Sequence, residues 1–144
     1  MGYLVMSNAL LCDQAMGAVD LVGQPNNEYI ATHQVLGLLL GDLRGCLRAG
    51  LLPSSLPAYV ARVRDEFVAE QLHGAFTDLQ FERAAILCMV GRCDLVPRSF
   101  TVRLRRAQGA DGLWRPDDPL IQGGIIPPEH ASALAYYVLA HARH

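Results

Sequence analysis

The sequence predicts an all-α protein of about six helices paired into antiparallel hairpins. Along almost every segment, apolar residues return at intervals of three and four, as on one face of an α-helix, rather than at intervals of two. Turn-forming residues place the expected breaks at residues 23–27, 50–57, 74, 91–97 and 109–128. Because 144 residues suffice for one core, we expect a single helical domain over residues 1–144. Paired helices repeated in this way would form a short helical-repeat arc.

The first two clear helices differ in how their apolar residues are distributed. Residues 28–48 carry leucines around most of the helix circumference, which predicts an inner helix covered on most sides. Gly37, Gly41 and Gly45 recur every four residues there, and close approach of another helix would offset their low helix propensity. Residues 56–72 keep their apolar side chains on one face, so we expect an outer, half-exposed helix.

The remaining helices are marked mainly by their ends. Thr77 and Gln80 have the spacing of a capping box, which opens a helix predicted to end near Gly91. A short helix is expected over residues 99–108. Pro127-Pro128 precedes the last helix, at a position where a missing backbone donor is tolerated.

Composition excludes some classes of function. The net charge of −2 and the pI of about 6.2 do not provide the positive surface that nucleic-acid binding needs, so no nucleic-acid partner is expected. With 51% hydrophobic residues and a mean hydropathy of +0.19, the chain has either a very full core or apolar surface that meets a ligand or partner.

Residues 3–22 and the cysteines are informative about the cellular location of the protein. Residues 3–22 lack a basic start and are interrupted by polar side chains, so neither a signal peptide nor a membrane span is expected. None of the cysteines has C-x2-C spacing, and all lie in apolar helical surroundings: Cys12, Cys46, Cys88 and Cys93. We therefore expect reduced core thiols in a cytoplasmic protein.

A motif near the C-terminus carries the most specific information. Leu104, Gln108, Asp111, Gly112 and Trp114 form L-x3-Q-x2-D-G-x-W. Glycine permits a tight turn, glutamine can reach backbone groups exposed at helix ends, and tryptophan can cover the junction between two helices.

This motif resembles the repeat signature Q-x3-G-x-W of the helical toroids found in terpenoid cyclases and protein prenyltransferases. The resemblance covers residues 98–143, about one repeat, and implies a partial α/α toroid that binds an apolar or isoprenoid-like small molecule. Asp117-Asp118 is followed by Pro119-Leu120-Ile121, so neither the aspartate-rich acid motif of these cyclases nor the D-D-x-x-D motif of ionisation-type terpene synthases is present. His130 resembles the zinc-binding histidine of the prenyltransferases in placement, but no Asp-x-Cys pair precedes it. We therefore expect no metal and no cofactor, and we leave catalysis open.

Two histidines and one long connection are the candidate site. His33 and His130 lie near the starts of apolar helices, where the helix end favours a neutral imidazole that can act as a base or a metal ligand. Glu28, Cys93 or Asp94 could complete a three-ligand site, although helix capping or a satisfied place in the core is the simpler explanation of both histidines. The connection over residues 111–128 is long for a helical protein and predicts a ligand mouth. The alternative is a turn that only packs Trp114 and Ile125 onto helix ends.

One further cluster is cationic. It is formed by Arg92, Arg98, Arg103, Arg105, Arg106 and Arg115. Arginine forks match phosphate oxygens, but a solvated cationic helix face explains the cluster as well.

The predicted function is therefore small-molecule binding by a helical-repeat protein. The predicted ligand-binding residues are His33, Gln108, Asp111, Trp114, Arg115, Asp118 and His130. One alternative is a non-catalytic structural or assembly module that forms a homodimer and buries the apolar excess. Another is a metal-dependent enzyme that uses His33 and His130.

Overall fold

The chain is helical throughout the part that the structure describes. The computed structural model describes residues 28–43, 45, 51–74 and 76–142, with only the backbone at 28–30, 51–55 and 119–120. The helices are α1 (Glu28–Leu43), α2 (Leu51–Leu72), α3 (Asp78–Met89), α4 (Arg98–Arg106), α5 (Pro119–Gln122) and α6 (Pro128–His141), and a 3-10 turn spans Cys93–Leu95. These residues contain no strand, which confirms the all-α prediction. Within them, no helix is both long and apolar enough to cross a membrane. The helix expected before residue 23 lies outside the described residues.

The chain divides into two compact units, Met1–Val63 and Arg64–His144, and the boundary falls within α2. The prediction of a single domain stays a prediction. In the first unit, Ala31, Val35 and Leu38 of α1 are buried, whereas Leu43 is exposed. A Cβ added at Gly37 would meet no atom within 4 Å in the described part of the chain, so the predicted close helix approach is not found there. Thr32 and Gln34 are buried as well, and none of residues 31–41 is exposed, so this stretch of α1 is covered on most sides, as predicted.

The ends of α1 and α2 differ from the predicted ends. Helix α1 stops at Leu43, and Gly45 lies in a turn with φ +67°, so the glycine stripe does not continue as helix. Helix α2 begins at Leu51 and includes Pro57, although residues 50–57 were predicted to be a break. Pro53 lies in the first turn, where no intrahelical N–H bond is lost, and Pro57 gives up one such bond within a long helix.

Helix α3 is the central helix of the second unit. Every residue from Asp78 to Cys88 is buried, and α3 packs against α6 and the 3-10 turn. Beside it, the rings of Phe67 and Phe81 both meet Phe100 edge-on, with centroids 5.1 and 6.1 Å away. The fully covered helix of this unit is therefore α3, which the sequence did not single out.

The predicted start and end of α3 are confirmed. Thr77 Oγ1 accepts a hydrogen bond from Gln80 N at 3.3 Å, which caps the first turn. The capping box is not reciprocal, because the Gln80 amide is buried and no described residue pairs with its side-chain atoms. Gly91 has φ +75° and reverses the chain just after Met89.

The prediction of reduced thiols is wrong for two cysteines. Cys88 and Cys93 form a disulfide, with their Cα atoms 4.1 Å apart. The reversal at Gly91 brings the start of the 3-10 turn back to the end of α3, so this C-x4-C spacing is short enough for a bond.

Candidate functional site

The motif near the C-terminus forms a tight turn after α4. Gly112 has φ +83°, which confirms that this position uses the conformational freedom of glycine. Gly109 N donates to Leu113 O at 2.8 Å and closes the turn. The exposed side chain of Gln108 donates to Gly112 O at 2.9 Å, so it braces the turn itself rather than a helix end.

Trp114 fixes this turn to two helices. Its indole Nε1 donates to Leu104 O, in the last turn of α4, at 2.7 Å. Its backbone N donates to Ser132 Oγ at 2.9 Å, and that hydroxyl donates to Pro128 O at the start of α6. With only 1% of Trp114 exposed, the ring belongs to the core, as expected of a residue that covers a junction. We assign it to the fold rather than to the ligand-binding surface.

Asp111 and Arg115 form an ion pair on the surface. Arg115 donates to both carboxylate oxygens of Asp111, at 3.1 and 2.5 Å, and Leu113 N donates to the same carboxylate. The guanidinium of Arg115, followed by the Leu113 N–H, lowers the pKa of Asp111 to about 2. Both charges are therefore compensated within the segment.

The connection predicted to be a ligand mouth contains an open depression. Its volume is about 420 Å³, and it is lined by Arg115, Pro116, Asp117, Ile121, Gln122 and Pro128. The segment is not without structure, because it includes the single helical turn α5, whose Ile121 and Gln122 donate backbone N–H bonds to Asp118 O. Gln122 Nε2 also donates to Asp117 Oδ1 at 2.7 Å. This turn shapes one wall of the depression.

A histidine and a buried carboxylate meet where α3 and α6 begin. Asp78, the first residue of α3, is fully buried, and its Oδ1 lies 3.0 Å from Nδ1 of His130. The imidazole is 41% exposed. Asp118 reaches the same helix end, since its Oδ2 accepts a 3.3 Å hydrogen bond from Asp78 N. Two of the predicted site residues, Asp118 and His130, are thus brought together through a third residue.

The electrostatics of this group favour a charged imidazole. The hydrogen bond that the ring donates to the Asp78 carboxylate raises the pKa of His130, partial burial of the ring opposes the shift, and the charges of Asp78 and Glu82 add to it. Glu82 follows Asp78 by one helical turn and is also buried. The ring therefore faces a buried, acidic face of α3.

Sequence reasoning missed Asp78. It follows the capping residue Thr77, where an acidic residue is ordinary because it complements the helix dipole. The repetition of an acid at Asp78 and Glu82 was the available signal. Nothing local indicates that His130, 52 positions later, would pair with the first of them.

Two of the proposed metal ligands have other partners, and the side chain of a third, Glu28, lies outside the described residues. Cys93 is in the disulfide, and Asp94 accepts two hydrogen bonds from Arg92 at 3.0 and 3.1 Å. His33 lies half-buried on α1, in the first compact unit. No group of three candidate ligand side chains occurs among the residues that the structure describes.

The cationic cluster lies mostly on the outside of α4. Phe100, Thr101 and Leu104 face inward, whereas Arg98, Arg105 and Arg106 are exposed. Arg103 lies 4.3 Å from the centroid of the Phe76 ring and donates to Gly74 O at 3.0 Å. Three of these arginines occupy the last turn, where cations complement the helix dipole.

The resemblance to the toroid repeat rests on Gln108, Gly112 and Trp114, and it stays a prediction. The turn geometry at these residues is local and would suit other helical folds equally well. Comparison with known protein families, curated proteins and solved structures finds no significant match to this chain.

Proposed function

We propose that this protein binds a small apolar or isoprenoid-like molecule in the depression beside α5. The observation that carries the proposal is the position of this depression. It lies within the connection over residues 111–128, which the sequence independently predicts to be a ligand mouth. Its volume of about 420 Å³ falls within the usual range for small-molecule sites.

The polar groups around the depression favour an apolar guest. Arg115 is paired with Asp111, and Gln122 is bonded to Asp117. These side chains would therefore keep their hydrogen-bond partners when an apolar molecule displaces water from the depression. Pro116, Ile121 and Pro128 provide apolar surface for the guest.

The wider setting of this site also belongs to the proposal. A partial α/α toroid is part of the proposal, and the Gly112 turn and the position of Trp114 at the junction of α4 and α6 are compatible with it. A cytoplasmic location stays a prediction, and the Cys88–Cys93 disulfide removes the thiol argument from its support.

Titration with geraniol, followed by amide NMR shifts, tests the binding proposal. Geraniol has an apolar isoprenoid body and one hydroxyl, so it matches the mixed lining of the depression. We expect saturable shifts at Ile121 and Gln122. An Ile121→Asp variant should lose them, because a charge in the lining opposes an apolar guest.

The matched control is Ile125→Asp. Ile125 is an isoleucine of the same connection, 71% exposed, and does not line the depression. It should bind geraniol as the original chain does. Equal loss of binding in both variants, or shifts confined to other residues, would contradict the proposal.

A homodimeric assembly module is the second candidate function. Large apolar side chains are exposed in the second unit at Leu72, Ile125 and Tyr136, which suits a surface covered by another copy. Sedimentation equilibrium should then report a dimer that Tyr136→Ser weakens. A monomer at all concentrations would remove this candidate and leave ligand binding.

A further inference from the structure

The pairing of His130 with Asp78 uses one nitrogen of the imidazole. Nδ1 lies 3.0 Å from Asp78 Oδ1, and a carboxylate can only accept, so Nδ1 carries the proton of the neutral ring. Nε2 is then the basic nitrogen. No described residue forms a hydrogen bond with Nε2, and the side chain is 41% exposed. A base oriented in this way by a second group is the arrangement that general-base catalysis uses.

The orienting carboxylate stands on a well-bonded helix start. Asp78 is fully buried at the first position of α3, a helix that is buried from Asp78 to Cys88. Its backbone N–H donates to Asp118, and Thr77 caps the same turn. The charged groups acting on His130 come from α3, namely Asp78 and Glu82, while Glu129 precedes it on its own helix. The Nδ1 side of the ring is thus held by α3, while the side chain remains partly exposed to solvent.

Another histidine of α6 provides an internal comparison. His141 is exposed, and its Nδ1 lies 2.8 Å from the backbone oxygen of Tyr137, whose ring is stacked on it. Like His130, His141 has its ring oriented by a hydrogen bond at Nδ1, but the partner of His141 is a neutral carbonyl. A carboxylate stabilises the imidazolium that forms when Nε2 takes up a proton, whereas a carbonyl does so more weakly.

From this geometry we propose that His130 is a general base, positioned by Asp78, for the hydrolysis of small carboxylic esters. Esters are a class of substrate that a single base can turn over, because water supplies the nucleophile and the alcohol is a better leaving group than the amine of an amide. This activity goes beyond ligand binding in the depression and does not depend on it.

The reaction balances with water alone. Nε2 accepts a proton from a water molecule as the water oxygen bonds to the carbonyl carbon of the ester and the π pair of the C=O bond moves onto the carbonyl oxygen. When the C=O bond re-forms, the tetrahedral adduct breaks its bond to the alcohol oxygen, which leaves with the electron pair and takes the proton back from Nε2. The products are the carboxylic acid and the alcohol, and neutral His130 is restored.

Hydrolysis of p-nitrophenyl acetate by the whole chain tests this inference. We expect the original chain to exceed an equal concentration of free imidazole, and His130→Asn to lower the rate by about a hundredfold, the usual contribution of a general base. His141→Asn should leave the rate unchanged. Circular dichroism confirms that the variants remain folded.

The role of Asp78 needs a readout that a purely structural residue would not move. The rate should rise with pH through the pKa of His130, and Asp78→Asn should shift that midpoint to lower pH because the carboxylate raises the pKa of His130. NMR titration of the His130 ring measures the same midpoint independently of activity. An original chain no faster than free imidazole, a folded His130→Asn that keeps its rate, or an unchanged midpoint in Asp78→Asn would overturn the inference.

Discussion

Helix α3 buries two charged side chains in different ways. Arg83 is only 2% exposed and lies between Glu66, 2.9 Å from its Nη2, and Glu70, which pairs with its Nη1. Asp78 is equally buried, but its partner is the half-exposed His130. The charge of Arg83 is permanent near neutral pH and is enclosed by two carboxylates. The charge beside Asp78 depends on a titrating ring that water can reach, so the first pair serves stability and the second can respond to its surroundings.

The largest effect on stability is expected from removing the buried charge of Arg83. Arg83→Met keeps most of the side-chain volume but leaves Glu66 and Glu70 without this cation, which should lower the free energy of unfolding by about 3 kcal/mol. Urea unfolding measures the change. Arg64→Met is the control, because the Arg64–Asp65 pair is exposed and contributes little. Similar losses in both variants would mean that burial does not distinguish the two pairs.

A smaller effect is expected from Asp78→Asn. The amide fits the same space, yet it replaces a charge-assisted hydrogen bond to His130 by a neutral one and should cost about 1 kcal/mol. Urea unfolding near pH 6, where the ring is protonated, gives the comparison. If Asp78→Asn destabilises the protein more than Arg83→Met does, the ranking of the two pairs is wrong.

The dependence of stability on pH should distinguish the Asp78–His130 pair from the ion pairs of Arg83. The folded state raises the pKa of His130, so the charged ring contributes stability that is fully present below its unfolded pKa of about 6.5 and is lost as pH rises through the folded pKa. The exposure of the ring limits this contribution to less than about 1 kcal/mol. Thermal unfolding between pH 6 and 8 should show the decline in the original chain. His130→Asn should abolish it, whereas an undiminished slope in this variant would assign it to other groups.

The smallest effect on stability is expected at the surface pair of Asp111 and Arg115. Arg115→Gln should leave the midpoint of thermal unfolding unchanged, because both side chains are exposed. It should still raise the pKa of Asp111 from about 2 toward its ordinary value, since the guanidinium is the main cause of the lowering. Carboxyl NMR titration reads this directly. A pKa that stays near 2 would make the Leu113 N–H the main cause instead.

Some features of α3 could be predicted from its sequence and others could not. The capping residue Thr77, the end near Gly91 and the helical character of the segment were predicted and are confirmed. The burial of every residue from Asp78 to Cys88 was not predicted, because polar residues on a helix ordinarily mark a face in water. Here Arg83 pairs with residues of α2 and Asp78 meets His130 of α6, whereas no described residue pairs with the buried Gln80 side chain.

In the candidate site, too, the sequence predicted one feature and left another open. The length of the connection over residues 111–128 predicted a ligand mouth, and the depression beside α5 lies within it. Trp114 was included among the ligand-binding residues because an aromatic ring in a loop suits a ligand as well as a core. Only its burial and its bond to Leu104 O distinguish these two roles.

By itself, the sequence determined the helical class, most helix positions and the turn at Gly112. These features depend on periodicity, capping and backbone freedom, which act between residues a few positions apart. Tertiary structure alone decided that Cys88 and Cys93 are bonded and that Asp78 meets His130. The disulfide needs the reversal at Gly91, and the second contact joins residues 52 positions apart. Such contacts depend on how the chain turns and how whole helices pack, which no pattern of neighbouring residues specifies.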